Sequence, residues 1–225
     1  MATNLNDQLE PLEAAQRREL DLALQQISTV KDPLFRDLAF TRTQQLLAEA
    51  KSLAGGELVF MNTETWRAAY EKLLLELDFS TYFSVAWVRT SDYWRDQAGR
   101  RSIRLNYELL DRGLQIERIL ILPETLWPPQ PTAPSDSIST WLQEQHYRGI
   151  KLSLARQPDL IREPDLISDF GIYGDRAAGE QELDDHSRTI RFRLAFGEAA
   201  ARRARQRWDR LTVFSVPCSQ VLDLN

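Results

Sequence analysis

The 225-residue chain has a single cysteine, Cys218, and only two histidines, His146 and His186. One cysteine excludes an intrachain disulfide framework and suits a reducing compartment. No His/Cys cluster has metal-ligand spacing, so no metal and no cofactor is expected. Long apolar runs are missing too: no stretch approaches the ~18 uncharged apolar residues of a membrane span. The start "MATNLNDQLEPLEAAQ" has no basic segment followed by an apolar run, so it does not read as a secretory signal. There is no GxGxxG, no Walker loop and no GxSxG elbow. A net charge of -5 offers no global attraction to a polyanion, and nucleic acid is not an expected partner. A cytoplasmic protein is the expectation.

What is present divides in two. Residues 1–54 hold no Gly, Trp or Tyr and are rich in Leu, Ala, Gln and Glu. Leu5, Leu9, Leu12, Leu20, Ala23, Leu24 and Ile27 recur at spacings of three and four, with a polar gap at Gln16, which is one apolar stripe on a helix. In "KDPLFRD", Asp32 can cap a new helix with Pro33 at its first position. A second stripe runs through Leu34, Phe35, Leu38, Ala39, Leu46, Leu47, Ala50 and Leu53, and Gly55-Gly56 ends it. A helical hairpin is expected over 1–54, either packed on the rest of the chain or pairing with a second copy or a helical partner through residues 5–53.

From residue 57 the period changes. Strands are expected at "ELVFM" (57–61), "TYFSVAWV" (81–88), "LQIERILIL" (114–122), "IKLSLA", the region 166–173, "TIRFRLAF" (189–196) and "TVFSV". Between them lie helices at "ETWRAAYEKLLLEL", capped by Thr63, at "SIRLNYELLDRG", at "ISTWLQEQHYRG" and at "GEAAARRARQRWDRL". This order predicts a layered α/β domain over 57–225 with a mixed, largely parallel sheet. With no helix between the last two long strands, an antiparallel hairpin is expected there.

That order, and "LNYELLDRGLQIERILIL" in particular, resembles one half of the phospholipase D superfamily, over roughly residues 57–216. The family's signature is His-x-Lys-x4-Asp followed by Gly-Ser-x-Asn. "LISDFGIYGD" (166–175) occupies its place. With the motif aspartate on Asp175, its histidine falls on Ser168 and its lysine on Phe170. Downstream, Gly179 is present, but Glu180 and Glu182 stand for the serine and asparagine. The family's reaction needs an imidazole nucleophile, a second imidazole as acid and a lysine on the phosphoryl oxygens. Ser168 has no base and Phe170 cannot hold an anion, so the resemblance implies the fold without its catalyst. The family's single-motif members pair two chains, which implies a homodimer.

Three functions follow as expectations. The first is a catalytically inactive, regulatory or sensory domain binding an anionic or phosphorylated small molecule. The second is a protein-interaction module. The third is a phosphodiesterase or nuclease of altered mechanism using Asp175, Asp169 and His186. In a parallel sheet the strand ends at Met61, Val88, Leu122 and Ala155 should meet on one edge. The candidate binding residues there are Thr63, Arg89, Asp92, Tyr93, Trp94, Glu124 and Arg156, with Asp175 projecting toward them. The carboxylate pairs Asp165/Asp169 and Asp184/Asp185 read as solvated loops. The arginines of the last helix read as a solvated face anchored by Trp208.

Overall fold

"QIERILIL" explains the architecture: apolar residues at successive positions need cover on both faces of a strand. The computed structural model describes residues 5–63, 65–76, 80–93, 95, 97–129, 133–184 and 189–224, with the side chains of 5–13 and 98 left aside. The described chain divides into two compact units, residues 1–55 and 56–225.

In the first unit, α1 (Leu5–Thr29) and α2 (Pro33–Ala54) are joined by three residues. Asp32 caps α2: its carboxylate accepts the Phe35 N–H at 2.9 Å, with Pro33 opening the helix. No residue of α2 is buried; Leu34 and Leu38 are 67% and 59% exposed.

In the second unit, eight strands form one mixed sheet in the order β1-β7-β6-β5-β2-β3-β4-β8. They are β1 (Glu57–Met61), β2 (Thr81–Trp87), β3 (Gln115–Leu122), β4 (Lys151–Arg156), β5 (Asp169–Tyr173), β6 (Ala177–Leu183), β7 (Thr189–Phe196) and β8 (Ser215–Pro217). Helices α3 (Trp66–Leu75), α4 (Gln97–Asp111), α5 (Asp136–Tyr147), α6 (Glu198–Thr212) and the short α7 (Cys218–Val221) complete it. The parallel part is β2, β3 and β4; the other neighbours run antiparallel.

Two cores lie on the two faces, and strand alternation sorts residues between them. Tyr82, Ala86, Ile116, Leu120, Leu122 and Tyr173 join Trp66 and Tyr70 of α3, Leu109 of α4 and Ile138 and Leu142 of α5. Val85, Ile119, Ile121, Phe170 and Ile172 join Ala201, Ala204, Trp208 and Leu211 of α6. Trp208 anchors α6 edge-on to Phe83, with ring centroids 5.0 Å apart.

Several expected boundaries shift. Helix α4 begins at Gln97 rather than Ser102, so Arg100 and Arg101 are helical. The strand expected over 166–173 is only Asp169–Tyr173, because Pro164 starts a 3-10 turn through Leu166. The expected hairpin between it and β7 is replaced: β6, "AAGEQEL", inserts between them and pairs with both. Its glycine, alanines and glutamates carry little strand propensity, and cross-strand pairing overrides that. Thr63 is not the cap of α3; Thr65 holds that place, and the Thr63 hydroxyl accepts the Thr65 N–H at 3.2 Å.

Gly179 on β6 is the tightest point. A Cβ there would stand 2.8 Å from Phe192 Cζ. Phe192 is itself stacked on Trp66 at 4.5 Å between centroids, so it has no room to withdraw. Gly179→Ala is expected to lower stability by about 1–3 kcal/mol in urea unfolding, as overpacking does. Phe192→Leu should recover part of that loss in the double variant, a coupling that a purely local backbone effect would not give.

Candidate ligand cavity

Because β5 runs antiparallel to β2, with Ser84 opposite Gly171 and Tyr82 opposite Tyr173, its first residue lies at the carboxyl end of β2. Asp169 is that residue. It is 5% exposed, so the solvated-loop expectation for it fails. Its Oδ1 accepts the Trp87 N–H at 3.1 Å and the Tyr93 hydroxyl at 2.8 Å. Burial pushes its carboxyl up to about 7, against the opposing pull of Tyr93, the Trp87 N–H and Arg89. Burial, with Asp169 adjacent, likewise raises Tyr93 well above an ordinary phenol.

Alternation on β5 separates two sets of residues. Asp169, Gly171 and Tyr173 face α3 and α4 and line a cavity of about 180 Å³, well above the ~10–15 Å³ that one water needs. Phe170 and Ile172 belong instead to the core under α6. Ser168 accepts from Arg207 Nη2 of α6 at 2.6 Å, and the same guanidinium lies 4.7 Å from the Phe170 ring centroid. The two positions matched to the family's histidine and lysine are thus packed against a structural arginine.

The cavity is also lined by Arg118, on β3 and 7% exposed. Its Nη1 donates to Gln145 Oε1 of α5, and its Nε reaches Ser84 Oγ at 3.4 Å. No described residue accepts from its Nη2, and no described carboxylate pairs with it. Buried charge without an ionic partner is costly, which makes this guanidinium the most conspicuous group of the cavity. Around it stand Tyr70, Tyr82 and Tyr173. Tyr82 and Tyr173 stack at 5.2 Å, and Tyr70 meets both edge-on at 6.3 Å. The Tyr70 hydroxyl donates to Asn106 Oδ1 at 3.2 Å. Gly171 makes room for the stack: a Cβ there would lie 3.1 Å from the hydroxyls of both Tyr82 and Tyr173.

The residues expected at the strand edge are dispersed. Tyr93 lines the cavity. Arg89 instead clamps its loop: Nη1 donates to Asp184 O at 2.9 Å and the guanidinium lies 3.9 Å from the Trp87 ring centroid. Arg156 holds the 127–128 backbone, donating to Trp127 O at 2.8 Å and Pro128 O at 3.0 Å. Asp92 pairs with Arg95 in solvent, and Glu124 is exposed. Met61 ends on the same side of the sheet as β2, but beyond β7, β6 and β5, so Thr63 is remote from Arg89. Asp175 sits in the β5–β6 turn at the opposite end of β5 from Asp169, so it does not project toward the others. Trp94, Asp185 and His186 lie outside the described residues. Among the described residues no three His, Cys, Asp or Glu side chains gather as a metal site.

Arg118 escaped sequence reasoning, although a signal existed: Glu117-Arg118 is the one charged pair in an otherwise apolar strand. Parity shows which is inside. Glu117 pairs outward with Lys151 at 3.4 Å, and Arg118 shares its face with Ile116 and Leu120. The arginines of α6 are mostly neutralised by Glu180, Glu163, Asp165, Glu198 and Asp209.

No protein-family model matches this sequence, and no curated protein does. Among solved structures the chain is similar to TrmBL2, an archaeal chromatin protein (9% identity, TM-score 0.44, covering 94% of this chain and 68% of that one). It is also similar to Nuc of Salmonella typhimurium, a phospholipase D family member (9% identity, TM-score 0.49, 72% and 97%). A third likeness is to phosphatidylserine synthase of Haemophilus influenzae Rd KW20 (10% identity, TM-score 0.46, 72% and 39%). The chain spans about two fifths of that last protein. No helix among the described residues is long and apolar enough to cross a membrane.

The raised Asp169 carboxyl has a defined consequence for stability. An aspartate in the unfolded chain titrates near ~4, so between that pH and about 7 the native state holds the extra proton. This group therefore stabilises the fold below pH ~4, and its contribution is lost as pH rises through about 7. Asp169→Asn, which keeps the acceptor for Tyr93, removes the dependence. Urea unfolding at pH 5 and pH 8 should show the variant gaining on the wild type by roughly 1–4 kcal/mol at the higher pH. An equal difference at both pH values would mean that Asp169 is ionised throughout.

Proposed function

We propose that this chain is a phospholipase D-like domain without the family's catalyst, and that it binds a small anionic ligand in the cavity between the sheet and helices α3 and α4. The observation that carries the reading is Arg118: a buried guanidinium that lines the cavity and pairs with no carboxylate among the described residues. Arginine's planar fork suits carboxylate, sulfate and phosphate oxygens, and burial strengthens each bond. Hydrolysis through the third expected route has little support, because Asp169 and Asp175 stand at opposite ends of β5. The purified protein is expected not to hydrolyse bis-p-nitrophenyl phosphate, with or without divalent metal. Turnover abolished by Asp169→Asn or His186→Ala would overturn this.

The binding test is a thermal-shift comparison with sulfate and simple phosphomonoesters. The Tm of Arg118→Met without anion is the baseline of the comparison, since the variant removes a buried charge but leaves Gln145 Oε1 and Ser84 Oγ without their donor. The variant should lose the anion-induced shift, corresponding to about 1.5–3 kcal/mol of charge-assisted contact. Arg205→Ala, on α6, serves as a control that keeps the shift. A shift that survives Arg118→Met removes the cavity as the site.

A second role has its own observation. Leu20, Leu22, Leu34, Phe35, Leu38, Phe40, Leu46 and Leu47 are all exposed in the first unit, more apolar surface than one pair of helices usually leaves in water. We read it as an assembly surface for a second copy, α1 carrying excess acid and α2 excess base over 33–54. In sedimentation, the wild type should be dimeric at micromolar concentration and the Leu38→Glu, Leu46→Glu variant monomeric. A monomeric wild type removes the idea.

A further inference from the structure

The cavity has a second pole that an anion alone leaves unmatched. Its charged lining consists of Arg118, Arg67 and Asp169 among the described residues. Arg118 and Asp169 are not an ion pair. Arg118 is level with Ser84 on β2 and therefore with Gly171 on β5, while Asp169 is two residues further along that strand. Two residues span about 7 Å in a strand, and two inter-strand steps separate β3 from β5. The cavity thus holds a fixed cation and a carboxyl well apart, with Tyr70, Tyr82, Tyr93 and Trp66 among its lining residues.

We propose, resting on the reading of this cavity as an anion site, that its ligand is a zwitterion: a small molecule with a carboxylate, sulfonate or phosphate for Arg118 and an ammonium group for Asp169. Only such a ligand satisfies both poles at once. A plain anion filling the cavity would bring negative charge toward Asp169. A plain cation would meet two guanidinium groups. Asp169 is held ready for it, since Tyr93 and the Trp87 N–H both bond Oδ1 and neither bonds Oδ2. The groups that bear on the Asp169 proton from neighbouring elements are Tyr93 and Arg89 of the β2–α4 segment, with Gln181 of β6 opposite it in the ladder.

The sign of the pH dependence separates the alternatives. An ammonium pairs with ionised Asp169, so binding releases a proton and affinity rises with pH through neutrality. An anion without an amine prefers protonated Asp169, so its affinity falls over the same range. The probes are 3-aminopropanesulfonate and propanesulfonate, whose sulfonates do not titrate and whose amine stays charged between pH 6 and 8. Isothermal titration on the full chain should show the amino form binding at least tenfold tighter than the other at pH 8. It should also bind more tightly at pH 8 than at pH 6. Asp169→Asn should erase that preference and make propanesulfonate binding independent of pH, and Arg118→Met should abolish the binding of both probes. Equal binding of the two probes, still dependent on Arg118, would overturn the zwitterion and leave the anion site standing. Binding of neither probe at millimolar concentration, or binding indifferent to Arg118→Met, would overturn the anion reading itself. The wild-type pH profile requires no variant, so a folding defect in either one leaves the decision intact.

Discussion

The antiparallel pairing of β5 against β2 is the constraint on which the rest depends. Its register sets Ser84 opposite Gly171 and brings the start of β5 to the carboxyl end of the parallel strands. Strand alternation then decides every side chain on β5. Asp169, Gly171 and Tyr173 face α3 and α4, while Phe170 and Ile172 pack under α6. A slip of one residue would exchange the two sets, turning the Phe170 ring toward α3 and α4 and a carboxylate into an apolar core. The close approaches at Gly171 and Gly179 oppose such a slip, because each glycine is placed where a ring already fills the space of a Cβ.

The same pairing gives the cavity its character. Three tyrosines meet around β2 and β5, and Arg118 enters from β3 with Gln145 and Ser84 to hold it. Polar groups in an apolar interior need partners or they destabilise the fold. Asp169 meets that requirement in part through Tyr93 and Trp87 and in part by keeping its proton. Arg118 cannot neutralise itself, and it keeps a terminal nitrogen unbonded by any described residue. That asymmetry between a titratable acid and a permanent cation is the ground for our proposal that the cavity binds a ligand.

The opposite face shows how similar residue types serve stability alone. Arg207 of α6 donates to Glu180, to the Asp165 carbonyl and to Ser168, and lies against Phe170. Arg210 joins Glu163 and Asp165, and its hydrogen bonds hold the Asp165 carboxyl below its usual range. These contacts fasten α6 to the turns that precede β5. Ser168 and Phe170, the two positions that the sequence reading laid on the family's histidine and lysine, are part of this fastening.

The sequence by itself determined the elements with strong local signals. The strands at 57–61 and 189–196 and the cap at Asp32 with Pro33 follow from β-branched and apolar runs and from cap chemistry. The layered α/β class follows from their alternation with helices. Tertiary structure alone decided the rest. Strand β6 has weak propensity and exists because β5 and β7 both hydrogen-bond to it. The edge reading failed for Asp175 because a residue's position along a strand does not reveal which way that strand runs in the sheet. In the sequence Arg118 looks like an ordinary charge, and Asp169 enters only as a solvated loop carboxylate or as a member of an altered active site with Asp175 and His186. Their importance comes from burial, which depends on residues 27 to 82 positions away closing over them, and no local pattern carries that information.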